Sequence, residues 1–139
     1  MKYFSLQKYL GIALKFFIPF IFILTLCIIL LINNGETIKI TISVALFITI
    51  LLLGLPAIYY FTLYLIFRKK CKKYTPREGV VYNWEIGFFR YSGSVIVKDE
   101  DTEYSSSAYF YRDDAKELVG KTISYAIIDE TLFIYEIKN

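Results

Sequence analysis

Four clusters in this chain carry residue types capable of chemistry or recognition. Asp99, Asp101 and Glu103 form a D-x-D-x-E run, which offers carboxylate oxygens to a hard cation such as calcium. The glycine and distal glutamate of a calcium loop are missing, and solvated hairpin tips are commonly acidic, so the run reads as a turn. Ser105-Ser106-Ser107 offers three hydroxyls, but no base lies nearby in sequence to activate one. It reads as an exposed strand of small residues. Arg68-Lys69-Lys70-Cys71-Lys72-Lys73 gathers five positive charges. Arg68, Lys69, Lys70, Lys72 and Lys73 suit contact with lipid headgroups, each worth about 1 kcal/mol near an anionic surface. The other use of this strip is docking the acidic C-terminal region or a partner. Tyr109 and Tyr111 share one side of an alternating segment. If that side faces out, they form an exposed aromatic patch of the kind that marks a partner surface.

The usual catalytic signatures are missing. There is no histidine, hence neither the commonest general base nor the commonest metal ligand. Gly79, Gly87, Gly93 and Gly120 stand singly, so no loop cradles phosphate, and no nucleophile elbow occurs. The expectation is a non-enzymatic protein with no catalytic, cofactor-binding or metal-binding residue. The two cysteines, Cys27 and Cys71, have no metal-ligand spacing and lie too far apart for a disulfide.

The elements that must position these clusters begin with two apolar runs. Phe16–Ile32 and Ile40–Phe67 hold no charged residue, and a helix needs about 20 apolar residues to cross a bilayer core. Two transmembrane helices are expected, over 16–32 and 40–67. Residues 1–15 form an N-terminal cytosolic or interfacial segment, either an interfacial helix or an extension of the first span whose lysines snorkel. A short external loop over 33–39 turns at Asn34-Gly35, a basic linker covers 68–76, and a cytosolic β domain covers 77–139. Pro19 and Gly54-Leu55-Pro56 predict kinks. The spans contain no ionisable Asp, Glu, Lys, Arg or His, which argues against an ion pathway or proton relay.

Charge sets the expected orientation. Residues 1–76 hold nine Lys/Arg and one acid, whereas residues 77–139 hold seven Lys/Arg and twelve acids. Lys2, Lys8 and Lys15 precede the first span and the basic strip follows the second. Positive residues collect on the cytoplasmic side, so both termini are expected in the cytoplasm of a multi-pass bacterial cell-membrane protein. The acidic domain would be repelled by phosphate backbones, which excludes nucleic acid. The expected partners are membrane lipids and another protein or a second copy.

Beyond Pro76 the pattern becomes short period-two segments rich in aromatic and β-branched residues, the mark of strands. Val80 to Ile86, Tyr91 to Val97 and Tyr104 to Tyr111 give three, with Asp99–Thr102 as a hairpin tip. Asp113–Val119 reads as a short helix capped by Asp114 with Glu117, ended by Gly120. Lys121–Ile128 and Leu132–Ile137 give two more strands, joined by Asp129-Glu130-Thr131. The order β-β-β-α-β-β predicts a small OB-like barrel or an open β sheet.

Glu78-Gly79-Val80-Val81, Glu103-Tyr104-Ser105-Ser106 and Ala115-Lys116-Glu117-Leu118-Val119-Gly120-Lys121-Thr122-Ile123-Ser124-Tyr125 together resemble the β domain of uncharacterised small bacterial two-span membrane proteins. Members of that group often continue with Asp-Pro, where this chain has Ala126-Ile127-Ile128. The architecture is also similar to NfeD-like proteins, which place an OB-fold after membrane spans. The resemblance implies the architecture and no activity. The functional expectation is a membrane protein whose β domain serves protein–protein interaction. The alternatives are a toxin or bacteriocin immunity protein and an accessory subunit of a membrane enzyme.

Overall fold

The computed structural model describes residues 3–33 and 36–138. Lys2 and the expected Asn34-Gly35 turn lie outside the described residues. The chain forms two compact units. One is Tyr9–Tyr64; the other joins the residues before Tyr9 to those from Leu65 onward.

Helix α1 (Phe4–Asn33) runs unbroken through Pro19, so the N-terminal segment is the start of the first long helix. The second long stretch comprises α2 (Lys39–Thr49), a π-helical turn at Ile50–Gly54, and α3 (Leu55–Lys70). α1 and the Lys39–Lys73 stretch are both long and apolar enough to cross a membrane. The break expected at Gly54-Leu55-Pro56 takes the form of the π turn. Pro56 lacks a donor and its ring crowds the carbonyl one turn back, so the widened turn accommodates it without ending the helix. Within this unit a Cβ on Gly54 would sit 3.3 Å from the Phe20 ring, so the missing side chain lets the two long helices approach closely. Phe16 and Tyr60 stack at 6.3 Å. Thr25, Thr49 and Thr62 each donate to the carbonyl four residues back, satisfying hydroxyls that apolar surroundings would leave unpaired.

The C-terminal unit is antiparallel throughout. β1 (Arg77–Val80), β6 (Thr122–Ile128) and β7 (Thr131–Lys138) form one sheet in the order β1-β6-β7. β2 (Asn83–Ile86), β3 (Ser92–Asp99) and β4 (Thr102–Ser105) form a second, and β5 (Phe110–Tyr111) also pairs with β3. Helix α4 (Arg112–Leu118) separates β5 from β6. The sheets do not close, so the open alternative holds and the OB-like barrel does not.

The sequence pattern placed one strand where the chain makes two. Between β1 and β2 it crosses from one sheet to the other. Val81 N–H donates to the Lys121 carbonyl, whereas Tyr82 N–H donates to Ile96. Val81 is buried at the crossing while Val80, Tyr82 and Ile86 are exposed. The third expected strand also splits, and Ser106 fills the gap. Its hydroxyl accepts from Val95 N–H at 3.1 Å and its own N–H donates to the Val95 carbonyl. Ser106 is therefore a buried ladder substitute, not part of an exposed strand.

Both expected hairpins form. Their central residues, Glu100-Asp101 and Asp129-Glu130, all have positive φ, as the tight two-residue turns that match strand twist require. The helix expected from Asp113 starts one residue earlier. Its N-cap is Tyr111 with no side-chain bond, so Asp114 is not the cap. Asp113 and Asp114 lie instead in the first turn, where negative charge favours the helix dipole. Gly120, at φ 88°, ends it. Ala115 is fully buried, and a Cβ on Gly93 would lie 3.1 Å from its methyl. Two small residues thus let α4 lie close on β3.

The start of α1 and the end of α3 both grip β7. Ser124 faces Glu136 and Tyr125 faces Ile134, so Tyr135 is the extra residue of a bulge. Ser5, fully buried on the first turn of α1, accepts the Ile134 N–H at 2.8 Å and bonds the Tyr109 hydroxyl at 2.6 Å. Phe4 stacks on Phe110 at 5.5 Å and Tyr3 meets Tyr135 edge-on at 5.2 Å. From α3, Phe67 stacks on Phe133 at 5.6 Å. The Tyr135 hydroxyl donates to the Cys71 carbonyl at 2.6 Å. Leu132 to Tyr135 are consecutively buried, because helix ends cover one face of β7 and the domain core the other.

Burial, and secondarily the Cys71 thiol, push the Tyr135 phenol up to about 12 from 10.0. The folded state thus holds this proton more tightly than the unfolded state does. The stabilisation is complete below pH 10 and is lost as pH rises toward 12. Unfolding of the wild type in detergent should become markedly easier across that window. Tyr135→Phe should flatten that part of the profile; an unchanged profile would contradict the assignment.

Candidate ligand- and partner-binding face

The loop between β2 and β3 is short and firmly tied. Gly87 N–H donates to Ser92 O at 3.0 Å, and Ser92 N–H donates to Phe89 O at 2.9 Å. The Ser92 hydroxyl donates to the same Phe89 carbonyl at 2.8 Å. A Cβ on Gly87 would fall 2.4 Å from Ser92 Oγ and 2.6 Å from the Ala108 methyl, so this corner has no room for a side chain. The tied loop holds Phe88, Phe89 and Tyr91 outward, at 96 %, 70 % and 79 % exposure. Phe88 and Phe89 pack edge-to-face on each other, at 5.2 Å.

Beside this loop is an open groove of about 520 Å³ lined by Arg90, Tyr91, Tyr111, Arg112, Asp113 and Asp114. Arg112 N–H donates to Tyr91 O at 2.8 Å, locking the start of α4 to the loop. The Arg112 Nε is buried and has no hydrogen-bond partner among the described residues. An orphan donor of this kind costs about 1–3 kcal/mol, more when charged. Native proteins leave few such groups unfilled by water or ligand.

The structure separates the residues singled out by sequence. Tyr109 is buried on Ser5 and Phe4, while Tyr111 is 60 % exposed. The exposed Tyr109–Tyr111 pair therefore does not form: Tyr109 precedes β5 and turns inward to meet the helix start. Tyr111 instead borders the groove with Tyr91. In the basic strip, Lys70 pairs with Asp129 at the β6–β7 hairpin, so one member docks on the acidic domain. Arg68, Lys69, Lys72 and Lys73 are exposed. Cys71 is buried, and burial pushes its thiol pKa up. Both cysteines are free thiols.

The acidic run is not gathered around one point. Asp99 takes the Arg77 guanidinium at 2.9 Å, tying β1 to β3. Asp101 occupies the turn, and Glu103 faces Lys98 across the ladder. Among the described residues no group of three or more acids or cysteines is placed to hold a metal ion.

Sequence reasoning missed Phe88, Phe89, Arg90, Arg112 and Ser5. Phe88-Phe89 sit in the continuation of an alternating segment and gave no loop signal. Arg90 and Arg112 lie 22 positions apart and come to line one groove through the β3–β5 pairing of Ser92 with Tyr111 and the Arg112 N–H bond to Tyr91 O. Ser5 carried no signal. No family model, curated protein or solved structure matches this chain.

Proposed function

We propose that this chain is a non-enzymatic two-span membrane protein with both termini in the cytoplasm. It holds its β domain at the inner surface as a binding module, with the Phe88–Tyr91 loop and the adjoining groove as the contact. The observation that carries this reading is the exposure of Phe88 and Phe89, 96 % and 70 %, on a hydrogen-bonded loop. Two large aromatics held out of the core in this way have lost the gain of burial, and such patches mark interaction sites. The two long apolar helices and the basic flanks support the membrane setting.

A photoreactive amino acid at Phe88, activated in intact cells, tests the reading. Purification and mass analysis of the peptide should show an adduct with a membrane component, lipid or protein. Water-quenched product alone would contradict it.

A further inference from the structure

We infer that the groove between the β2–β3 loop and the start of α4 binds a zwitterionic phospholipid headgroup carrying both a phosphate and a primary amine, with Phe88 and Phe89 entering the acyl boundary beside it. The inference rests on the membrane reading above and names the occupant of that face.

Charge complementarity selects the ligand. Arg90 and Arg112 offer two guanidiniums, and a planar guanidinium matches phosphate oxygens in a paired geometry. Arg112 lines the groove although its Nε is enclosed and has no hydrogen-bond partner among the described residues, so contact with a ligand falls to the terminal nitrogens of its guanidinium. Asp113 and Asp114 line the same groove. They would repel a purely anionic ligand, but they accept from an ammonium three atoms beyond the phosphate. Tyr91 and Tyr111 supply aromatic faces, which attract a cation as well. A quaternary ammonium would keep that aromatic attraction but give no N–H to the carboxylates. The amine is therefore primary.

Position supports a lipid over a free metabolite. β5, which carries Tyr111 into the groove, packs by Phe110 on Phe4, with the Lys8 ammonium 5.8 Å from the Phe110 ring. In the proposed topology these first turns of α1 lie at the inner headgroups. A headgroup there meets a loop bearing two exposed phenylalanines, an arginine and a tyrosine, the mixture that partitions to a bilayer interface.

The test uses the full chain reconstituted in vesicles of phosphatidylcholine alone, or with phosphatidylethanolamine or phosphatidylglycerol added. An arginine-specific reagent reports the accessibility of Arg90 and Arg112 by mass analysis. Phosphatidylethanolamine should slow modification of Arg112 about two- to fivefold relative to the other two compositions, the range expected of partly exposed ion pairs. Asp113→Asn with Asp114→Asn should transfer the preference to phosphatidylglycerol, with Cys71 still shielded from thiol reagents as a check on folding.

Equal modification in all three vesicles would overturn the inference. So would protection by soluble phosphoethanolamine without protection by the lipid, which would indicate a free metabolite. Protection that appears only with added protein would also overturn it and assign the face to a protein partner. Failure of the chain to resist alkaline extraction from any vesicle would instead overturn the membrane reading itself.

Discussion

Phe133→Ala is expected to destabilise the β unit by about 3–5 kcal/mol, the usual cost of removing a fully buried phenylalanine. Phe133 is 1 % exposed. It lies between the Phe67 ring of α3 at 5.6 Å and the Tyr135 ring at 5.2 Å. The two aromatic contacts add specific geometry to the buried area. Collapse to fill the void is restricted, because Leu132 and Ile134 on either side are also fully buried. The midpoint of strand unfolding in detergent should fall sharply. Cys71, 1 % exposed beside the same cluster, should become reactive to thiol reagents under native conditions. A change of less than about 1 kcal/mol, the scale of an ordinary surface substitution, would mean that the end of α3 does not pack on β7.

Ser5→Ala is the second large effect. The substitution removes only an oxygen, yet it strands the Ile134 N–H in a buried site and takes from the Tyr109 hydroxyl its Ser5 partner. Each buried group left unpaired costs about 1–3 kcal/mol. The expected loss is therefore larger than for Tyr109→Phe, which leaves the Ile134 N–H its bond to Ser5. In the double variant the second substitution should cost less than it does alone, since the pair shares a bond. Unfolding midpoints of the four proteins measure this coupling. Strict additivity would show that Ser5 and Tyr109 do not meet.

The elements legible in the sequence were those written in local pattern. Long uncharged runs gave the two helices, because length and composition alone decide whether a helix suits a bilayer. The tips at Asp99–Thr102 and Asp129–Thr131 gave the hairpins, because turn chemistry is local. Gly120 marked the end of α4 for the same reason. What failed depended on partners distant in sequence. Alternation from Val80 to Ile86 is continuous, but Val81 and Tyr82 bond to different strands, Lys121 on one side and Ile96 on the other. Tyr109 looked like a neighbour of Tyr111 on one face. The Ser5 hydroxyl, 104 residues away, draws it inside. The groove was illegible for a related reason. Its arginines come from a loop and a helix start brought together by the β3–β5 ladder and the Arg112 N–H bond to Tyr91 O.

The central claim is a membrane-anchored β domain on the cytoplasmic side, and cysteine accessibility tests it most directly. In a Cys27→Ser, Cys71→Ser background, Thr102→Cys places a single thiol on the exposed β3–β4 hairpin. Intact cells and lysed cells are treated with a membrane-impermeant thiol reagent. Protection in intact cells with full labelling after lysis is the predicted result. Labelling in intact cells would contradict the topology and place the Phe88–Tyr91 loop and its groove outside the cytoplasm.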